Sequence, residues 1–260
     1  MNNPYRLETD PVIAALITEA SADPEVIGLV LTGSRAVGGV TTESDYDVAF
    51  VVSDPVLARY EATASPPPRG ATITPPISTT DIWHVAPSTL QLGTVEDWML
   101  PAWAESVVLY DRTGATTQII DALRRMPADH AQAAVATWYD AYLNSLYRSL
   151  KAWRRGNALG ARLEAAESAN YLLHLLFALE CHWRPYSSRL LFHLNKLHGQ
   201  GWQPDEFSAL LIDLIATGEP QGQQRVARRV AALLQERGYG YVYDGWEGQI
   251  DQVLAWDYPV

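Results

Sequence analysis

The spacing of apolar residues changes once along this chain. Up to about residue 114 they come in short runs separated by turns; beyond it they recur every three or four residues in long stripes. In the first part, Val12, Ile13, Leu16 and Ile17 fall at helical spacing. Asp10 is placed as an N-cap and Pro11 at the first helical position, so a helix is expected over 11–20. Apolar runs at 27–31 and 45–52 predict two strands, separated by the small-residue turn Gly33-Ser34 and a loop with Gly38 and Gly39. A short helix is expected at 55–60, an exposed proline-rich loop at 65–76 and a third strand, with imperfect alternation, at 77–85. Residues 96–105 read as a short helix interrupted at Pro101. The apolar run 107–110 ends in the turn Asp111-Arg112-Thr113-Gly114.

In the second part, Val135, Trp138, Tyr139, Tyr142, Leu143, Leu146 and Leu150 make one helical stripe within 128–155, which Gly156-Asn157 breaks. A second long helix is expected at 158–181, and further ones at 185–197, 204–216 and 219–235. The expected fold class is α+β: a mixed sheet flanked by helices over residues 1–115, then a helical bundle over 116–260. No internal repeat is visible.

Chemistry concentrates in one segment, LVLTGSRAVGGVTTESDYDVAFVV. Asp45 and Asp47 are two positions apart at the head of a strand and so share a face, roughly 6–7 Å apart at the backbone by the strand rise. Two carboxylates so placed repel each other unless a cation neutralises them, and hard oxygen ligands suit Mg²⁺. Glycine at 33 permits close backbone approach and positive φ, and Ser34 offers a hydroxyl. Arg35 is a candidate phosphate contact through its planar guanidinium.

Gly33-Ser34 followed by Asp45-Tyr46-Asp47 resembles the signature of the DNA polymerase β-like nucleotidyltransferase superfamily, most closely its small-molecule and minimal branches. The resemblance covers residues 29–52. It implies that the glycine-serine turn holds a nucleoside triphosphate, with ATP the one expected, and that Asp45 and Asp47 bind Mg²⁺. A third carboxylate is expected from a later strand, and Asp81 in TTDIWHV stands there, as metal ligand or as the base for an acceptor hydroxyl. The order of regions is similar to that of kanamycin and streptomycin nucleotidyltransferases, whose helical C-terminal domain faces the catalytic sheet. That resemblance implies a small-molecule hydroxyl acceptor, an aminoglycoside-like antibiotic among the options. Two alternatives stay open: an antitoxin-like enzyme that adenylylates a protein or RNA partner, and a non-catalytic nucleotide-sensing module.

Composition narrows the partners. The 260 residues carry a net charge of −11, with a pI near 4.9. That argues against general DNA binding, which needs a basic face, and favours a small or cationic substrate. A single cysteine, Cys181, excludes an internal disulfide. With no secretory leader and no apolar stretch of bilayer length, the expected location is cytoplasmic, without membrane association, as a monomer or homodimer.

Other polar residues have plainer readings. His84 alternates to the face opposite Asp81 and reads as structural. Glu96, Asp97 and Glu105 suit a solvated helix face, as do Glu164 and Glu167, and Asp111 suits a turn. Arg148, Lys151 and Arg155 share a helix face; they suit a solvated helix end, with a triphosphate clamp as the sharper alternative. In HWRPYSSRLLFHLNKL, Arg189 or Lys196 is a candidate phosphate contact, while Trp183 and Tyr186 are expected to pack.

Overall fold

The computed structural model describes residues 6–41, 44–63 and 80–258. The proline-rich loop and positions 77–79 of the expected third strand lie outside the described residues. The chain forms two compact units, Met1–Arg125 and Met126–Val260.

In the first unit, the helix α1 (Pro11–Ala22) starts where Asp10 accepts hydrogen bonds from the backbone N–H groups of Val12 and Ile13. There follow β1 (Val26–Leu31), α2 (Gly33–Ala36), β2 (Tyr46–Val52), α3 (Asp54–Ala62), β3 (Thr80–Val85), α4 (Leu100–Ala104), β4 (Val107–Asp111) and α5 (Ala115–Leu123). The four strands make one mixed sheet in the order β3-β2-β1-β4. β1 runs antiparallel to both its neighbours, while β2 and β3 pair in parallel.

The continuous apolar run of β1 has a physical cause, because both of its faces are covered. Leu29 and Leu31 join Val48, Phe50 and Val52 of β2 in a core with Val12, Ile13 and Leu16 of α1. On the opposite face, Gly28 leaves room for α5: a Cβ there would lie 2.8 Å from the Cβ of Thr116.

Helix α5 also moves the boundary between the units. The change of periodicity at 115 suggested a break there, yet Ile120 and Leu123 are buried and α5 packs on α4 and β4. Its apolar stripe completes the sheet's second face, so the first unit continues to Arg125. Pro101 is likewise a helix starter rather than an interruption. It sits in the first turn of α4, where its missing N–H leaves no helical bond unmade, so the helix is shorter than the 96–105 expected.

The second unit is helical: α6 (Ala128–Arg154), α7 (Ala158–Leu179), α8 (Leu190–His193), α9 (Pro204–Ala216), α10 (Pro220–Glu236), α11 (Gly240–Asp244) and α12 (Gln249–Leu254). Between α6 and α7 the backbone turns through Gly156 at φ +72°, and Asn157 caps α7 by accepting from the Gly160 N–H. The core joins Leu143, Leu146 and Leu150 to Leu172, Leu176, Phe207, Leu211, Val230 and Leu234. The expected helix at 185–197 is instead α8 between two 3₁₀ segments, Ser187–Arg189 and Leu194–Gln200. Leu194 and Leu197 are both buried there, and residues three apart eclipse in a 3₁₀ turn. No helix among the described residues is long and apolar enough to cross a membrane.

Candidate functional site

The site is built at one end of β2 and β3. Asp45 immediately precedes β2, and Asp47 lies on it two residues later. The parallel register sets Asp47 directly against Asp81 of β3. Asp45, Asp47 and Asp81 each bring a carboxylate oxygen within 4.8 Å of the others; the first two are half-buried and Asp81 is exposed. Three carboxylates with no nitrogen or sulfur donor suit a hard divalent cation such as Mg²⁺.

The glycine-serine turn is part of the same construction. Strand β1 is followed by Thr32, whose N–H donates to the Asp47 carbonyl at 2.8 Å. The chain then turns at Gly33, with φ +73°, into the short helix α2. A Cβ at Gly33 would collide with Oδ2 of Asp47 and lie 2.8 Å from its Cγ. Glycine is therefore required twice over, by the backbone angle and by the carboxylate against it. Ser34 follows, half-buried, on α2.

Arg35, expected as a phosphate contact, is bound to the chain at the head of β2. Its Nε donates to the Asp45 carbonyl at 2.9 Å and its Nη2 to the Ser44 carbonyl at 2.8 Å. The guanidinium covers the Tyr46 ring at 3.7 Å from its centroid, and Nη1 lies 3.8 Å from Oδ2 of Asp10. Only 11% of the side chain is exposed. A planar fork with a stacking face satisfies all these demands at once, so Arg35 holds the head of β2 in place.

Sequence reasoning missed the rest of this clamp. Tyr46 lies between the two acids and so projects to the opposite face, where it is buried and its hydroxyl donates to Asp10 at 2.8 Å. Asp10, seen in the sequence only as a helix cap, ties α1, Tyr46 and Arg35 together. The alternation was the available signal: a tyrosine turned into a core needs a partner for its hydroxyl.

Several of the other polar residues have local partners. His84 stacks on Phe50 at 5.6 Å and meets Tyr60 edge-on at 5.2 Å, and burial lowers its pKa. Asp111 accepts from the N–H groups of Thr113, Gly114 and Thr117 and from the Thr117 hydroxyl. Burial pushes its pKa up, but these hydrogen bonds outweigh it and the carboxyl is held low.

In the second unit, Arg148 pairs with Glu164 at 3.8 Å, and Lys151 lies over the Tyr147 ring at 4.6 Å. Arg155 is exposed at the end of α6, so this stripe is a helix end with local partners. Trp183 packs edge-on against His130 at 5.4 Å. Arg189 is half-buried in the 3₁₀ turn Ser187–Arg189 of the second unit.

A family model described as a domain of unknown function (DUF4037) matches residues 94–190. That segment is less than half of the chain and begins after all three aspartates. No curated protein matches the chain. Solved structures similar to it include a nucleotidyltransferase-like protein from Exiguobacterium sibiricum, with 14% identity and a TM-score of 0.45. The match covers 94% of this chain and 78% of that one. Likeness this distant leaves the activity to be judged from the site.

Proposed function

We propose that the protein transfers a nucleotidyl group, AMP from ATP in its simplest form, to a hydroxyl of a small molecule with Mg²⁺ as the metal. The observation that supports this most is the convergence of Asp45, Asp47 and Asp81 beside the Gly33-Ser34 turn. These three carboxylates would hold the metal, which when bound supplies charge neutralisation for the triphosphate and the departing pyrophosphate.

The chain's own residues do the positioning. Arg35, Tyr46 and Asp10 hold the backbone at Ser44 and Asp45, so the acids are set before substrate arrives. Gly33 keeps Asp47 in place, and Ser34 offers its hydroxyl to the β- and γ-phosphates. Asp81, the exposed member, either completes the ligand set or takes the proton of the attacking hydroxyl. A net charge of −11 favours a cationic acceptor, of which an aminoglycoside is the type to try first.

The test is pyrophosphate release from ATP with Mg²⁺ across aminoglycosides, lincosamides, nucleosides and tRNA. We expect turnover with a small hydroxyl compound and a loss of at least about a hundredfold in Asp45→Asn and Asp47→Asn. Asp81→Asn separates the two roles: a ligand loses metal affinity, whereas a base loses turnover with affinity kept. Folded protein that neither binds ATP with Mg²⁺ nor releases pyrophosphate with any acceptor would overturn the proposal.

A further inference from the structure

The second unit contains a cavity of about 460 Å³ between α7, α9 and the segment from Arg184 to Leu194. That size lies within the range of small-molecule sites, roughly 300–1,000 Å³. Its walls are mostly apolar, with Asn170, Ser187 and Ser208 as the neutral polar members. Leu173, Leu194 and Leu211 form the buried part, while Leu191 and Ile212 line it and remain 71% and 65% exposed. Apolar side chains left open around a concave surface are a feature of ligand-binding grooves.

One cation lines this cavity, Arg184. Its Nη1 donates to the Pro185 carbonyl at 3.3 Å and its Nη2 to the Ser187 hydroxyl at 3.0 Å. Its Nε is buried without an acceptor. No carboxylate pairs with it among the described residues, although acids outnumber bases in this chain by 30 to 19. Burial lowers its pKa, and its charge acts on the neighbouring His174. A half-buried guanidinium without a counter-ion is unfavourable, and an anion in the cavity removes that penalty. Because Nε is fully covered, a ligand can reach only the second N–H of each terminal nitrogen. Phosphate asks for several cations or amides; one guanidinium in mostly apolar surroundings matches a single carboxylate, which those two N–H groups can meet in parallel.

We propose that this cavity binds a small monocarboxylate with an apolar body, its carboxylate on Arg184 and its chain along Leu173, Leu211 and Ile212. The cavity shares no residue with the aspartate cluster, and its assignment stands without the nucleotidyl-transfer reading.

Calorimetric titration of the full chain with decanoate, 1-decanol and acetate tests it. Decanoate should bind at least about tenfold more tightly than decanol, and acetate should not bind. Arg184→Met should erase the preference for decanoate, while Arg184→Lys keeps part of it. Ile212→Glu, at an exposed position that the fold does not depend on, removes an apolar wall and adds an anion, so it should weaken decanoate at least about tenfold and decanol clearly less. Asp47→Asn should leave decanoate binding unchanged. Equal binding of decanoate and decanol, binding of neither, or a decanoate preference that survives either Arg184→Met or Ile212→Glu would overturn the assignment.

Discussion

At Gly33 one missing methyl group sets both the backbone and the chemistry. Its φ of +73° is strained for any residue with a Cβ, at roughly 1–2 kcal/mol, and that Cβ would meet the Asp47 carboxylate. Gly33→Ala is therefore expected to lower stability by about that amount and to displace Asp47. In a Mn²⁺ titration followed by electron spin resonance, the variant should bind the ion at least about tenfold more weakly; unchanged binding would show that Asp47 is not a ligand. Asp10 presents a different case, since nothing in the sequence suggested more than a cap. It is 6% exposed on its side chain and serves two backbone N–H groups and the Tyr46 hydroxyl. Asp10→Ala should cost about 2–3 kcal/mol in urea unfolding, a lost cap plus a buried hydroxyl left without a partner. A change below about 1 kcal/mol would mean that the clamp is not holding α1 to β2.

Among the elements, the long helices were the most legible, because a stripe such as Val135 to Leu150 fits only a period of 3.6. The segment after Pro185 was less so, because the short spacing that suggests a helix also suits 3₁₀ turns. Helix α7 carries a pH response. Burial first, and the charge of Arg184 second, depress His174 to a pKa of about 4. Its ring stacks on Trp138 at 4.4 Å. A depressed histidine binds its proton better when unfolded, so its contribution is fully present above pH 6.5. It is lost as the pH falls from there to about 4. The loss is at most about 3 kcal/mol before discounting for solvent screening. His174→Asn should flatten the fall in denaturation midpoint across that window. An unchanged slope would place the acid sensitivity elsewhere, with His84, also lowered by burial, as the next group to replace.

At the scale of the whole molecule, each unit has its own hydrophobic core. Cutting the chain after Arg125 keeps α5 on the sheet, whereas cutting at 115 removes the buried Ile120 and Leu123. Fragment 1–125 is expected to melt cooperatively. Fragment 1–115 should be less stable by about 3–6 kcal/mol, the burial of two large apolar side chains. Equal melting of the two fragments would return the boundary to 115. Bound Mg²⁺ should raise the melting temperature of the full chain by mass action, with EDTA reversing the rise and Asp45→Asn abolishing it. A melting temperature indifferent to Mg²⁺ up to millimolar concentrations would count against a metal centre.

The sequence by itself determined the helical second part, the strands around Gly33-Ser34, the pairing of Asp45 with Asp47 on one face and the acidic balance. These depend on periodicity and on neighbours within a few residues, which local geometry fixes. Only the tertiary structure decided that β2 and β3 run in parallel with Asp47 against Asp81, since register is set by the packing of a whole sheet face. It likewise set Arg35 on the carbonyls of Ser44 and Asp45, joined Asp10 to Tyr46 and placed α5 with the sheet. Each of those depends on which residues distant in the chain come together, and a guanidinium or carboxylate takes its role from the partner it meets.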